Sequence, residues 1–171
     1  MELKYSKQKQ LGKKKGKEKQ SYIKFLNLYK STNRLPEGMT KETTNKLYSY
    51  IDREVELLWK ALCWKKWGKA LDGGEIDKKY YNVKLEQPWQ IHHLIGRGHH
   101  LTRWSVDNGI IITSGVHDHL TNHDPQRFTS WLKEKFPERY EWREKNLISA
   151  YSFHEKPTIQ DMLDLKNKML S

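Results

Sequence analysis

Cysteine is almost missing from this 171-residue chain. Its one example, Cys63, cannot close a disulfide within the chain or build a multi-cysteine zinc knuckle, and thiol-pair redox chemistry is not expected. No run of about 18 apolar residues is present, which excludes a membrane-spanning helix, and the lysine-rich N-terminus lacks the apolar segment of a secretory signal. A soluble, unexported, cytoplasmic protein is the expectation. Acidic residues are scarce too: 21 Asp and Glu face 32 Lys and Arg, for a formal net charge of +11. That imbalance calls for a polyanionic partner, with nucleic acid ahead of a membrane because no strongly amphipathic basic helix opens the chain. Hydrophobic residues make up 36% and charged residues 31%, so the expected core is small and carries exposed arms.

The charge is uneven. Residues 1–20 carry eight lysines against Glu2 and Glu18 and show almost no apolar periodicity, so this stretch reads as a disordered basic tail, either merely solvated or in contact with phosphates. A helical segment over residues 21–75 follows. Ile23, Leu26 and Tyr29 have helical spacing ahead of a turn at Arg34 to Gly38. Leu47, Ile51, Val55, Leu58, Trp59 and Leu62 then predict a longer helix from Thr40, its candidate N-cap, to about Ala70. Residues 76–136 hold the densest signals. Tyr80 to Val83 and Gln90 to Ile95 read as strands, Asn108-Gly109 as a tight turn, and Ile110 to Thr113 as a returning strand. A helix near Gly115 to Asn122 and a second beginning at Pro125 complete that core. Residues 137–171 read as C-terminal helices for packing or dimerisation, so a homodimer is one expected state, and Thr158 to Asp161 resembles a capping box. The fold class is thus α+β and mainly helical.

What the chain has in plenty is histidine in one place. Seven of its eight histidines lie between His92 and His123, where a uniform scatter would leave about one or two. Imidazole is the side chain best suited to metal ligation and proton transfer near neutral pH. His92 and His93 end a predicted strand, Asn108 opens the next, and His117 falls on the helix after it. At this point, from Gln90 to about His123 or roughly a fifth of the chain, the sequence resembles the HNH endonuclease family and its ββα-metal layout. The stretch from Gly96-Arg97 through Thr102 to Gly109, followed by Phe128 to Phe136, is further similar to phage HNH proteins of the NinG or Rap recombination-endonuclease type. That subgroup implies a bacterial host cell and branched DNA.

The resemblance implies roles position by position. His92 and His117 would be metal ligands, His93 the general base that activates water, and Asn108 the residue that fixes the backbone carrying the base. A divalent ion would bind the scissile phosphate and stabilise the leaving oxygen. Abundance favours Mg²⁺, whereas two imidazole ligands suit Mn²⁺, Ni²⁺, Co²⁺ or Zn²⁺. His119 or His123 could add a third contact, but the position four after His117 is Thr121. Many HNH domains hold a structural zinc on two cysteine pairs; Thr113 and Val116 occupy the second pair's places, so no structural zinc is expected here. The implied activity is metal-dependent hydrolysis of DNA phosphodiester bonds. Alternatives are a homing or host-defence nuclease, or a non-catalytic DNA-binding module with a degenerate metal site.

Each residue also has a plainer reading. The four site positions together could be a polar loop with satisfied core histidines. Adjacent residues on a regular strand point to opposite faces, which argues against His92 and His93 sharing one pocket unless the strand end twists. His99 and His100 read as an exposed loop pair. Arg97 and Arg103 divide between DNA-backbone contacts and local salt bridges. Trp104 could pack under its loop or touch DNA.

Overall fold

A computed structural model describes residue 16 and residues 19–67, 89–114, 117, 123–151 and 156–171, without the side chains of residues 148–151. The chain divides into two compact units, Met1–Val55 with Pro157–Ser171, and Glu56–Lys156. The described residues are mainly helical, with one two-stranded antiparallel sheet. None of their helices is long and apolar enough to cross a membrane. The predicted strand at Tyr80 to Val83, the tail before Gly16, and Asp118 and His119 lie outside the described residues.

The first unit is helical. Helix α1, residues 19–32, stops where Asn33 takes the left-handed conformation at φ 50° and its N–H bonds the Tyr29 carbonyl at 2.7 Å. Asparagine is the residue after glycine best able to end a helix in this way. The turn expected at Arg34 to Gly38 follows, with Gly38 at φ 71°. Helix α2, Lys41–Trp67, begins after Thr40, whose hydroxyl accepts from the Thr43 N–H at 3.3 Å, as an N-cap should. Its buried row runs at strict intervals of four through Leu47, Ile51 and Val55, and Tyr29, Met162 and Leu163 of the same unit are buried as well. The last helix of the chain, Ile159–Leu170, starts in the expected capping box: Thr158 and Asp161 exchange side-chain-to-backbone bonds.

The second unit is built around a hairpin. Strand β1, Trp89–His93, pairs antiparallel with β2, Gly109–Thr113, in a register that sets His92 opposite Ile110 and His93 opposite Gly109. Every residue of β2 is buried, as its continuous β-branched run requires. Helix α4, Pro125–Lys135, is capped by Asp124 with proline in its first turn, and it packs Phe128, Trp131 and Leu132 against Leu94 and the three isoleucines. Helix α5, Pro137–Tyr151, follows directly. Between the strands lie a single helical turn, α3 (His100–Arg103), and a 3₁₀ turn, Val106–Asn108.

Two local expectations need correction. Asn108-Gly109 is not the hairpin turn: Asn108 closes the 3₁₀ turn, and Gly109 is the buried first residue of β2. The glycine is needed there for close approach, because a Cβ would lie 2.5 Å from the Cys63 sulfur and 2.9 Å from the Trp59 ring. β1 also stops at His93 rather than reaching Ile95, because Asn108 captures the Ile95 backbone and turns the chain out of the sheet.

Candidate functional site

The site begins with the pleat. His92 and His93 end β1 as neighbours, and the rings packed against them differ. His92 lies edge-on to His117 at 5.0 Å between ring centres and to Phe128 at 5.4 Å. His93 is stacked on Trp59 at 4.1 Å with an 18° tilt, and forms a T-shaped pair with Trp104 at 6.3 Å. Their ring neighbours thus differ, while the two imidazoles stay close enough for His93 to lower the proton affinity of His92. The described positions after β2, Ser114, His117 and His123, have helical backbone, and from there His117 comes back onto His92 across 25 residues of sequence.

Asn108 is fully buried and organises the loop beyond His93. Its Oδ1 accepts from the Ile95 N–H at 2.7 Å, and its Nδ2 donates to the carbonyls of Ile95 at 3.0 Å and Thr102 at 3.1 Å. Its own carbonyl accepts from the Leu94 N–H at 2.8 Å. One side chain thus fixes the backbone on both flanks of the loop.

Burial is the main cause of low proton affinity at both strand histidines. It pushes His92 down to about 3, aided by His117, His93, Arg143 and Arg97. It pushes His93 down to about 4, aided by Arg97 and Arg103 and opposed by Glu56 and a backbone hydrogen bond at Arg103. Both imidazoles are neutral at physiological pH and keep a lone pair. The Nε2 of His93 is buried without a hydrogen-bond partner among the described residues.

Sequence reasoning missed several neighbours. Trp59 was legible as core, but not as the plate beneath His93; its indole N–H also donates to the Ser105 carbonyl at 2.8 Å. Two arginines one turn apart on α5 hold the backbone of the site. Arg139 Nη2 donates to the carbonyls of Asp107, at 3.1 Å, and Gly109, on either side of Asn108, while its guanidinium lies over the Trp67 ring at 4.1 Å. Burial lowers its pKa to about 10 against the pull of Asp107. Arg143 Nε donates to the Leu94 carbonyl at 3.2 Å. The four-residue spacing of these arginines was the only signal available in the sequence.

The remaining candidates fall as follows. Arg97 is exposed and pairs with Glu56 at 3.6 Å, and the Arg103 guanidinium lies over Trp104 at 4.1 Å. Trp104 is buried, which settles its alternatives in favour of packing under the loop. His99 and His100 are half-buried rather than exposed, because His99 precedes the turn of α3 and its carbonyl accepts from Thr102 and Arg103. His123 is exposed.

A metal fit can be judged on His92 and His117. Two imidazoles sharing one ion, with metal–nitrogen bonds of about 2.0–2.1 Å and a roughly tetrahedral angle, have ring centres about 5 Å apart, and the observed separation is 5.0 Å. The donor set is nitrogen, and His92 is neutral. Among the described residues no group of three or more His, Cys, Asp or Glu side chains gathers, so water and substrate oxygens would complete any such shell. No protein-family model matches the chain, and no curated protein or solved structure is significantly similar to it.

Proposed function

We propose that the protein is a metal-dependent DNA endonuclease with an HNH-type ββα-metal site, hydrolysing phosphodiester bonds. The observation that carries this reading is the edge-on approach of His92 and His117, two imidazoles from separate segments at a spacing suited to one divalent ion. The Asn108 clamp on Ile95 and Thr102 supports it, since it gives the central asparagine of the motif a backbone-fixing part.

In this reading His92 and His117 hold the ion. When bound, a divalent cation supplies Lewis-acid stabilisation of the leaving oxygen. His93 accepts a proton from water as the water oxygen bonds to phosphorus; the P–O3′ bond breaks, and the 3′ oxygen takes a proton from solvent. The products carry 5′-phosphate and 3′-hydroxyl ends. A base held near pKa 4 is weak in the free protein, and the negative charge of a phosphate drawn toward Arg97 and Arg103 raises its proton affinity when substrate is bound. Asn108 keeps the loop after His93 in place throughout. Mg²⁺ is the expected ion in cells, with Mn²⁺, Ni²⁺, Co²⁺ and Zn²⁺ as alternatives, and branched DNA of the kind processed in phage recombination is the first substrate to try.

Cleavage of plasmid, linear, nicked and four-way DNA with Mg²⁺, Mn²⁺ or Ni²⁺ tests the reading. Wild-type protein should cut and His93→Ala should lose at least about a hundredfold in rate; equal rates would remove His93 from the mechanism. The low proton affinity of His93 favours one second reading, a DNA-binding module without turnover. That module would bind in a salt-sensitive way, be indifferent to metal, and bind equally well as His93→Ala.

A further inference from the structure

Leu101 stands out on the loop between the strands. Its side chain is 64% exposed, although both Thr102 and Trp104 beside it are buried. The backbone beneath it is pinned: Asn108 holds Ile95 and the Thr102 carbonyl, the His99 N–H bonds the Gly96 carbonyl at 3.1 Å, and the Trp59 indole holds Ser105. Residues 96–104 therefore form a fixed shelf from which one leucine projects. An isolated exposed leucine needs no explanation in itself. This one has an arginine four residues before it and another two residues after it. The Arg97 side chain is 59% exposed, and the Arg103 guanidinium lies 4.1 Å over the Trp104 ring, which is set at 67° to His93. An exposed apolar side chain with an arginine on either side of it in the sequence, on the loop that leaves the candidate base, has the chemistry of a wedge that enters a stack of bases while arginines take the phosphates nearby.

We propose that the shelf of residues 96–104 is a duplex-DNA contact surface on which Leu101 pushes into the minor groove and unstacks a base step, flanked by phosphate contacts from Arg97 and Arg103. This rests on the nuclease reading and adds a substrate feature to it, namely preference for duplex that is easily unstacked. It assigns Leu101 to distortion of DNA and the arginines to charge.

The test is fluorescence anisotropy of full-length protein in EDTA with two labelled duplexes, one fully paired and one with a central mismatch. Because a mismatch lowers the cost of unstacking, wild type should bind the mismatched duplex about tenfold more tightly. Leu101→Ala should erase that preference with its salt dependence unchanged, whereas Arg97→Ala and Arg103→Ala should each reduce the salt slope by about one and keep the preference. Leu101→Ala is at an exposed position, and its melting curve should overlay the wild type. A Leu101→Ala protein that still prefers the mismatch overturns the wedge. Wild type that binds neither duplex overturns both the wedge and the nuclease reading, while wild type that shows the preference but cuts no DNA with any metal leaves the wedge standing and removes the nuclease.

Discussion

The Asn108 side chain is bonded to both the N–H and the carbonyl of Ile95, two residues beyond His93. A donor and an acceptor on one planar amide meet a donor and an acceptor on one residue's backbone, an arrangement that only asparagine or glutamine can supply and that the longer glutamine would overfill here.

Asn108→Ala should therefore lower stability by about 3 kcal/mol, because buried groups on Ile95 and Thr102 lose their partner at roughly 1–3 kcal/mol each. Urea denaturation followed by tryptophan fluorescence measures this. A loss below about 1 kcal/mol would mean that the loop does not depend on the clamp.

Gly109→Ala tests the contact of the hairpin with α2. The new methyl would meet the Cys63 sulfur at 2.5 Å and the Trp59 ring at 2.9 Å, so a loss of about 1–3 kcal/mol is expected. Adding Cys63→Ala should recover part of it in a double-mutant cycle, since the closer of the two obstacles is then gone.

Cys63 should be inert in the native protein. It is fully buried, and burial pushes its thiol up to about 12. At about pH 8 that leaves roughly one thiolate in ten thousand. Alkylation by iodoacetamide should be slow in buffer and rapid in denaturant, as read by mass spectrometry.

The first unit should weaken in alkali. Tyr29 donates to Glu54 at 2.9 Å, and Lys166 donates to both at 2.8 and 3.0 Å. Burial raises the Tyr29 pKa above 10.0; burial works against the Lys166 charge, but the bonds to Tyr29 and Glu54 outweigh it and raise that pKa above 10.5. Both groups bind their protons more tightly when folded. Their stabilisation is thus complete below the unfolded values and disappears as pH rises through the raised ones. The urea midpoint should be unaffected by these groups up to about pH 9 and should fall as pH rises through about 10 and 11, and Tyr29→Phe should make that fall shallower.

Much of the local structure was legible in the sequence for local reasons. The spacing of Leu47, Ile51, Val55, Trp59 and Cys63 marks one face of a helix, Thr40 and Thr158 cap with their own hydroxyls, and Ile110 to Ile112 can only be a covered strand. Such features depend on neighbours within about four residues, which the chain itself supplies. The order His92, His93, Asn108, His117 was readable in the same way, as residue types at set places.

Partners came only with the folded chain. Nothing in the sequence sets Trp59 beneath His93, Arg139 on the carbonyls around Asn108, or Lys166 against Tyr29 and Glu54, because those pairs are 34, 30 to 32 and at least 112 residues apart and meet only when packing chooses between alternatives of similar chemistry. The turn after His93 shows the difference most plainly. Asn108-Gly109 has the composition of a hairpin turn, yet the asparagine gains three buried hydrogen bonds, and the glycine a close fit against Cys63, by leaving that role. Residue chemistry and local periodicity are properties of the sequence by itself; which groups are desolvated together, and hence how His92 and His93 titrate, was decided by tertiary packing.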